Sequence, residues 1–149
     1  ASSPSFGYIF GGVNPFPAEL NIIEKFPFAA DTNASDVGDL QYARVGVGGH
    51  NSDVAAYASG GSNPYPYSYN YIEKVPFASD GNSVDTGDLT TGTATHGTSS
   101  SEDGGFRAGG APFPLRQNII DKFPFASDGN SVDYGDLTQG RAYIGTNVD

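Results

Sequence analysis

The segment Asn70-Tyr71-Ile72-Glu73-Lys74-Val75-Pro76-Phe77-Ala78-Ser79-Asp80-Gly81-Asn82-Ser83-Val84-Asp85-Thr86-Gly87-Asp88-Leu89 reads as two short strands around a polar turn. Asp80 favours a turn closed by its own side chain, and Gly81 supplies the positive φ of a tight connection. A hairpin is therefore expected, with strands at Tyr69 to Ala78 and Ser83 to Leu89. The segment recurs on either side. Asn21-Ile22-Ile23-Glu24-Lys25-Phe26-Pro27-Phe28-Ala29 and Asn118-Ile119-Ile120-Asp121-Lys122-Phe123-Pro124-Phe125-Ala126 repeat its first half at spacings of 49 and 48 residues. A glycine pair precedes each copy, at Gly11-Gly12, Gly60-Gly61 and Gly109-Gly110, and a Gly-Asp-Leu follows, ending at Leu40, Leu89 and Leu137. A period in this range marks a repeat architecture in which each unit buries its apolar face against its neighbours.

Outward from the hairpin, the middle unit gains a first strand at Arg44 to Gly49 and a second at Val54 to Ser59, closed by the glycine pair. Pro27, Pro76 and Pro124 fall inside the third strands, where a missing N–H requires one lateral side to be unpaired or bulged. No window of about 11 residues sustains i, i+3, i+4 apolar spacing, so no helix is expected. Ile22, Ile23, Phe26 and Phe28 with their counterparts Tyr71, Ile72, Val75, Phe77 and Ile119, Ile120, Phe123, Phe125 place apolar groups on both strand faces. Such strands suit sheets stacked on both sides.

Four strands per unit, a Gly pair closing the second and a polar turn between third and fourth resemble the kelch-type blade of a β-propeller. The resemblance spans the chain. It departs from the kelch pattern in lacking Trp, and the Arg that follows the fourth strand stands only as Arg44 and Arg141, with Thr93 between them. It implies an all-β, kelch-like β-propeller with three four-stranded blades: blade 1 at about 5–40, blade 2 at about 42–89, blade 3 at about 91–137, and a closing strand at about 139–147. The chain opens with a second strand, Gly7 to Phe10, and closes with a first strand, Arg141 to Thr146. Propellers have about four to eight blades. Six are expected here from a homodimer in which Arg141 to Thr146 of one copy completes blade 1 of the other, the rival being a piece of a longer chain. The Asp-Lys-Phe-Pro-Phe-Ala-Ser-Asp-Gly-Asn pattern is also similar to repeat proteins of marine phages and other environmental viruses, which implies a virion or extracellular setting.

Two motifs are candidates for chemistry or binding. Asp80, Asn82 and Asp85 are matched by Asp31, Asn33 and Asp36 and by Asp128, Asn130 and Asp133. Asp-x-Asn resembles the start of a calcium loop, but the fifth position is Ser35, Val84 or Val132 and no Glu closes the loop, so capping of turns is the first reading and calcium the alternative. The second motif places one aromatic between two prolines in each unit, Pro15-Phe16-Pro17, Pro64-Tyr65-Pro66 and Pro112-Phe113-Pro114. Phe16, Tyr65, Tyr67 and Phe113 are candidate ligand contacts, because an aromatic held by proline loses little entropy on docking. They fold back over the blade end in the simpler reading. Tyr69 and Tyr71 enlarge the patch in the middle unit. His50 and His96, near Ser52, Asp53, Ser99 and Asp103, give thin support for catalysis. A hydrolase would need a non-repeated polar cluster at the propeller axis. Asn33-Ala34-Ser35 fits a glycosylation acceptor.

Of the 149 residues, 21 are Gly and 10 Pro, and 7 Lys plus Arg face 17 Asp plus Glu for a net charge of −10. That charge opposes a phosphate backbone, so no nucleic-acid partner is expected. No apolar run of about 18 residues and no basic-then-apolar leader are present, which points to a soluble chain. Zero Cys excludes disulfides and thiolate metal sites. The expected function is a non-enzymatic structural or adhesion module without a resident cofactor, presenting repeated loops to virion proteins or surface glycans. A multivalent propeller lectin is the alternative.

Overall fold

The computed structural model describes residues 1–64, 66–112 and 114–145, which form eleven strands in three antiparallel sheets, with no helix and no closed barrel. Sheet 1 holds β1 (Phe6–Val13), β2 (Glu19–Pro27) and β3 (Ser35–Asp39), in that order. Sheet 2 holds β4 (Gly48–Asn51), β5 (Ala55–Ser59), β6 (Tyr71–Pro76) and β7 (Val84–Asp88). Sheet 3 repeats it with β8 (Gly97–Ser100), β9 (Gly104–Ala108), β10 (Ile119–Pro124) and β11 (Val132–Asp136). Within each sheet every strand pairs with its neighbours in sequence, as short turns between strands allow.

The first strand of the middle unit is displaced from its expected place. Val45 exchanges backbone hydrogen bonds with Ser62, and Gly46 turns the chain with φ of 70°, so strand pairing starts only at Gly48. The same correction applies at the far end, where Arg141 to Gly145 form no strand and the rest of the expected closing strand lies outside the described residues. The prolines close the third strands instead of interrupting them. Pro27, Pro76 and Pro124 pair with Phe6, Ala55 and Gly104 on one side, and the fourth strand has no residue opposite them. Each fourth strand is also bulged, with Val37, Thr86 or Tyr134 left unpaired opposite Ile23/Glu24, Ile72/Glu73 or Ile120/Asp121. The third strand keeps its two-residue alternation, so in the middle unit Glu73 faces the side opposite Ile72 and Lys74.

Sheet 2 lies between the other two, which explains why every residue of β5, Ala-Ala-Tyr-Ala-Ser, is buried on both faces. One apolar cluster joins Tyr8, Ile23 and Leu40 of the first unit to Ala56, Ala58 and Val75 of the second. The next joins Tyr57, Ile72 and Leu89 to Phe123 and Phe125 of the third. Each large side chain fully removed from water in this way contributes about 1.5–3 kcal/mol.

Polar bonds fix the stacking register. Lys25 reaches Asp80 at 3.0 Å, Asn82 Oδ1 accepts the Asp39 N–H, and the Ser83 N–H donates to the Asp39 carbonyl. The junction between sheets 2 and 3 repeats this with Lys74 on Asp128, the Asp88 N–H on Asn130 Oδ1 and the Ser131 N–H on the Asp88 carbonyl. Gly38 and Gly87 permit the approach: a Cβ on either would overlap the Gly81 or Gly129 backbone of the following unit.

Deeper in, Arg44 Nη2 lies 2.9 Å from Glu73 Oε1, with both side chains fully buried. The Glu73 carboxylate also accepts from the Gln41 N–H and from the Ser83 hydroxyl. In sheet 3, Arg107 Nη2 sits 2.6 Å from Asp121 Oδ2, and Asp121 accepts from the Thr90 N–H and hydroxyl. The Glu-Lys and Asp-Lys neighbours of the third strands thus divide their tasks, the carboxylate facing inward and the lysine outward. Removing one member of a buried pair costs about 3–5 kcal/mol, because the other is left charged in an apolar setting. Arg44→Met is expected to lower the free energy of urea unfolding by that amount. The double variant with Glu73→Met is expected to recover part of the loss, and an additive double variant would contradict the pairing.

Candidate functional site

The loops joining second to third strands gather at one end of the sheets. In each, a backbone N–H closes a turn on the first proline: Ala18 on Pro15, Tyr67 on Pro64, Leu115 on Pro112, at 2.8 to 2.9 Å. Phe16 protrudes from the first loop with 85% of its surface exposed, and Tyr67 and Leu115 are each 70% exposed. Tyr65 and Phe113, the matching candidates, lie outside the described residues. Phe16 and Tyr67 therefore do not fold back over their sheet ends.

Next to these loops run the segments that link one sheet to the next. Gly46, Thr95 and Tyr143 occupy equivalent positions, all with left-handed φ of 70°, 54° and 56°. The Thr95 N–H donates to the Gly46 carbonyl and the Tyr143 N–H to the Thr95 carbonyl, so a file of backbone hydrogen bonds passes from unit to unit. A β-branched threonine is disfavoured in this conformation, and these bonds hold it there. Between the file and the middle loop lies a pocket of about 220 Å³, lined by Val45, Ser62, Pro66, Ser68, Thr95 and Tyr143 among others. Apolar walls with a few hydroxyls suit a small, weakly polar group. Farther out, Tyr42, Tyr69 and Tyr71 stack on one another with ring centroids 5.2 to 5.8 Å apart. Tyr42 comes from the linker, so only the folded chain brings it to the other two.

The structure also joins the two histidines, through a residue that neighbours neither in sequence. Ser59 Oγ lies 2.8 Å from His50 Nε2 and 3.0 Å from His96 Nε2, and His50 Nδ1 is 3.2 Å from the Ser99 carbonyl. A carbonyl only accepts, so His50 Nδ1 carries the proton and Nε2 accepts from Ser59; the hydroxyl then accepts from His96 Nε2–H. Both rings are neutral in this arrangement. Burial pushes the pKa of His50 down to about 4 and that of His96 down to about 3, the neighbouring His50 adding to the second shift. All three side chains are buried, which withholds the serine from any substrate. Ser52, Asp53 and Asp103 take no part in the cluster. The hint in the sequence was that Ser59 has Phe10 and Ala108 at its equivalent positions, a hydroxyl in one unit alone.

The acidic turns are used differently from a calcium loop. Asp80, Asn82, Asp128 and Asn130 bond the preceding sheet, as described above. Asp36, Asp85 and Asp133 each accept the backbone N–H two residues on, from Gly38, Gly87 and Gly135. Asp31 and Asn33 are exposed. Among the described residues no three His, Asp or Glu side chains come together as metal ligands. The three turns sit on three different sheets, so nine oxygen-bearing side chains supply no shared site.

No protein-family model matches the chain, and neither does any curated protein. Among solved structures, the fold is similar to that of YjhT, with a TM-score of 0.77 at 12% identity over 95% of this chain and 52% of that one. At this identity the likeness shows the fold alone. The chain spans about half the length of that structure.

The buried histidines set an acid limit on stability. Their folded-state pKa values lie below the unfolded value near 6.5, so as pH falls through 6.5 the unfolded chain takes up protons that the folded chain refuses. Unfolding becomes easier from pH 6.5 down to about 4 for His50 and about 3 for His96. The urea midpoint is expected to fall between pH 6.5 and 5, where carboxylates scarcely titrate, and His96→Asn is expected to roughly halve that slope by removing one of two protons. A midpoint independent of pH across this interval would contradict the assignment.

Proposed function

We propose that the chain is half of a kelch-like β-propeller, closed into six blades by two copies, and that it acts as a non-enzymatic structural or adhesion module of a virion or other extracellular assembly. Its proline-bounded loops make the contacts. The observation that carries this reading is the separation of chemistry from exposure. Ser59, between two histidines, is buried, whereas Phe16 and Tyr67 stand exposed on rigid turns at one end.

Physical argument supports the rest. Three stacked sheets whose fold resembles about half of a longer solved chain are consistent with a ring of six. Loops repeated around such a ring contact a surface many times, and weak individual contacts then multiply. Aromatic side chains held by proline suit the face of a sugar ring or a flat protein surface. The net charge of −10 argues against nucleic acid.

Glycans are the more specific of the two contact classes, because the pocket beside Tyr67 offers hydroxyl groups together with apolar walls. On a glycan array the protein is expected to retain a restricted set of sugars. Phe16→Ala and Tyr67→Ala are each expected to weaken retention about tenfold or more, the cost of removing one well-seated aromatic anchor. The melting temperature should not move, since both side chains lie outside the core. Retention unchanged in both variants would contradict the loop-face reading, and an array with no retained glycan would leave protein contact as the use of these loops.

A further inference from the structure

The two internal junctions are built alike, and the two outer faces carry the separated halves of a third. On the outer face of sheet 3, Ile120 and Leu137 are only partly buried, whereas Ile23, Ile72, Leu40 and Leu89 at the equivalent positions are sealed by a following sheet. Gly135 has nothing within 4 Å of where a Cβ would stand, although its counterparts Gly38 and Gly87 are pressed against the next turn. Lys122, the counterpart of Lys25 and Lys74, turns to the exposed Asp103 of its own sheet. The outer face of sheet 1 is the complement. Phe28 is 54% exposed and Ile9 50%, and the turn residues Asp31 and Asn33 are free of any preceding sheet.

The buried charge identifies what belongs between these faces. Each internal carboxylate on a third strand is met by one arginine, from one of two sources. In sheet 2 it is Arg44 of the linker, and the β5 position beside it is the small Ala58. In sheet 3 the linker position is Thr93, and the cation comes instead from Arg107, at the β9 position equivalent to Ala58. Sheet 1 has the carboxylate, Glu24, but Ile9 at the strand position. Its cation must therefore come from a linker, as in sheet 2. Arg141 is the linker residue in register with Arg44, and it is exposed, as is Glu24.

We propose that a second copy of this chain docks sheet 1 onto sheet 3 so that Arg141 of one copy closes on Glu24 of the other, with Lys122 on Asp31 and Asn33 on the backbone of Asp136. The inference rests on the ring reading and deepens it by naming the pair that recognises the partner. Two such junctions form in a closed dimer, one at each end of the half-ring, each joining sheet 1 of one copy to sheet 3 of the other and related to its mate by the two-fold axis. Apolar contact between Phe28 and Ile9 on one side and Ile120 and Leu137 on the other supplies area. The ion pair supplies orientation, since a like-charge or unpaired arrangement at a buried junction is heavily penalised.

Charge exchange tests it. Glu24→Arg puts two arginines into each junction of its homodimer, and Arg141→Glu puts two carboxylates there, so each variant alone is expected to raise the dimer dissociation constant roughly 100-fold or more. Both positions are exposed in the single chain, so each variant is expected to fold and to show a wild-type circular dichroism spectrum. Mixed in equal amounts, the two variants restore one native pair and one reversed pair, and native mass spectrometry is expected to show a dimer of one variant with the other, at twice 15.5 kDa. Variants that remain dimeric alone, or a mixture that stays monomeric, would overturn the pairing while leaving the ring intact. A wild-type protein that stays at the single-chain mass, as would follow if further repeats of a longer chain were the natural neighbours, would overturn the ring reading together with it.

Discussion

A carboxylate on the third strand of the second and of the third unit has to find an arginine away from water, and the arrangement of the junctions follows from that demand. Burial of either charge alone is prohibitive, so the pair must form wherever two sheets meet. Strand alternation turns Glu73 and Asp121 toward their arginines and the adjacent lysine to the other face, where Lys74 reaches the next turn. The Gln41 and Thr90 amides, which begin the linkers, bond the same carboxylates, so the charge pair also fixes where one unit hands over to the next. Two different arginine positions satisfy one geometrical requirement. The requirement, more than the sequence position, is what the repeats share.

The repeat, the absence of helix and the third-to-fourth strand hairpins were legible because glycine pairs, prolines and Asp-Gly turns have local causes. The linkers were not. Arg44 to Val47 carries a strand-like pattern, and only the pairing of Val45 with Ser62 and the turn at Gly46 reveal that the first strand begins later. Arg44 was therefore read as a strand residue, when its side chain is the centre of a junction. The acidic turns were misleading for a related reason. Their oxygens are spaced like metal ligands along the chain, but each turn faces a different neighbour, and the partners that use them are backbone amides and lysines about 42 to 55 residues away. Phe16 and Tyr67 were visible as loop aromatics. Tyr42, which joins the stack of Tyr69 and Tyr71, and Ser59, which joins His50 to His96, became apparent only in the folded chain.

Function is read from where the fold spends its polar groups. Lys25, Lys74 and Arg44 with their carboxylates, together with Asn82 and Asn130, hold sheet to sheet, and the two histidines and Ser59 are buried inside the fold as well. What remains for partners is the loop end, with its exposed aromatics, small pocket and tyrosine stack. A surface of this kind recognises by shape and stacking, and gains strength by repetition.

The central claim is that one type of junction serves both inside the chain and between copies. Small-angle X-ray scattering over a dilution series tests it most directly. The account predicts a concentration-independent mass of two chains, each 15.5 kDa, and a compact disc-like profile. A mass that climbs with concentration, as in a filament of half-rings, or the profile of a single open crescent at every concentration, would contradict it.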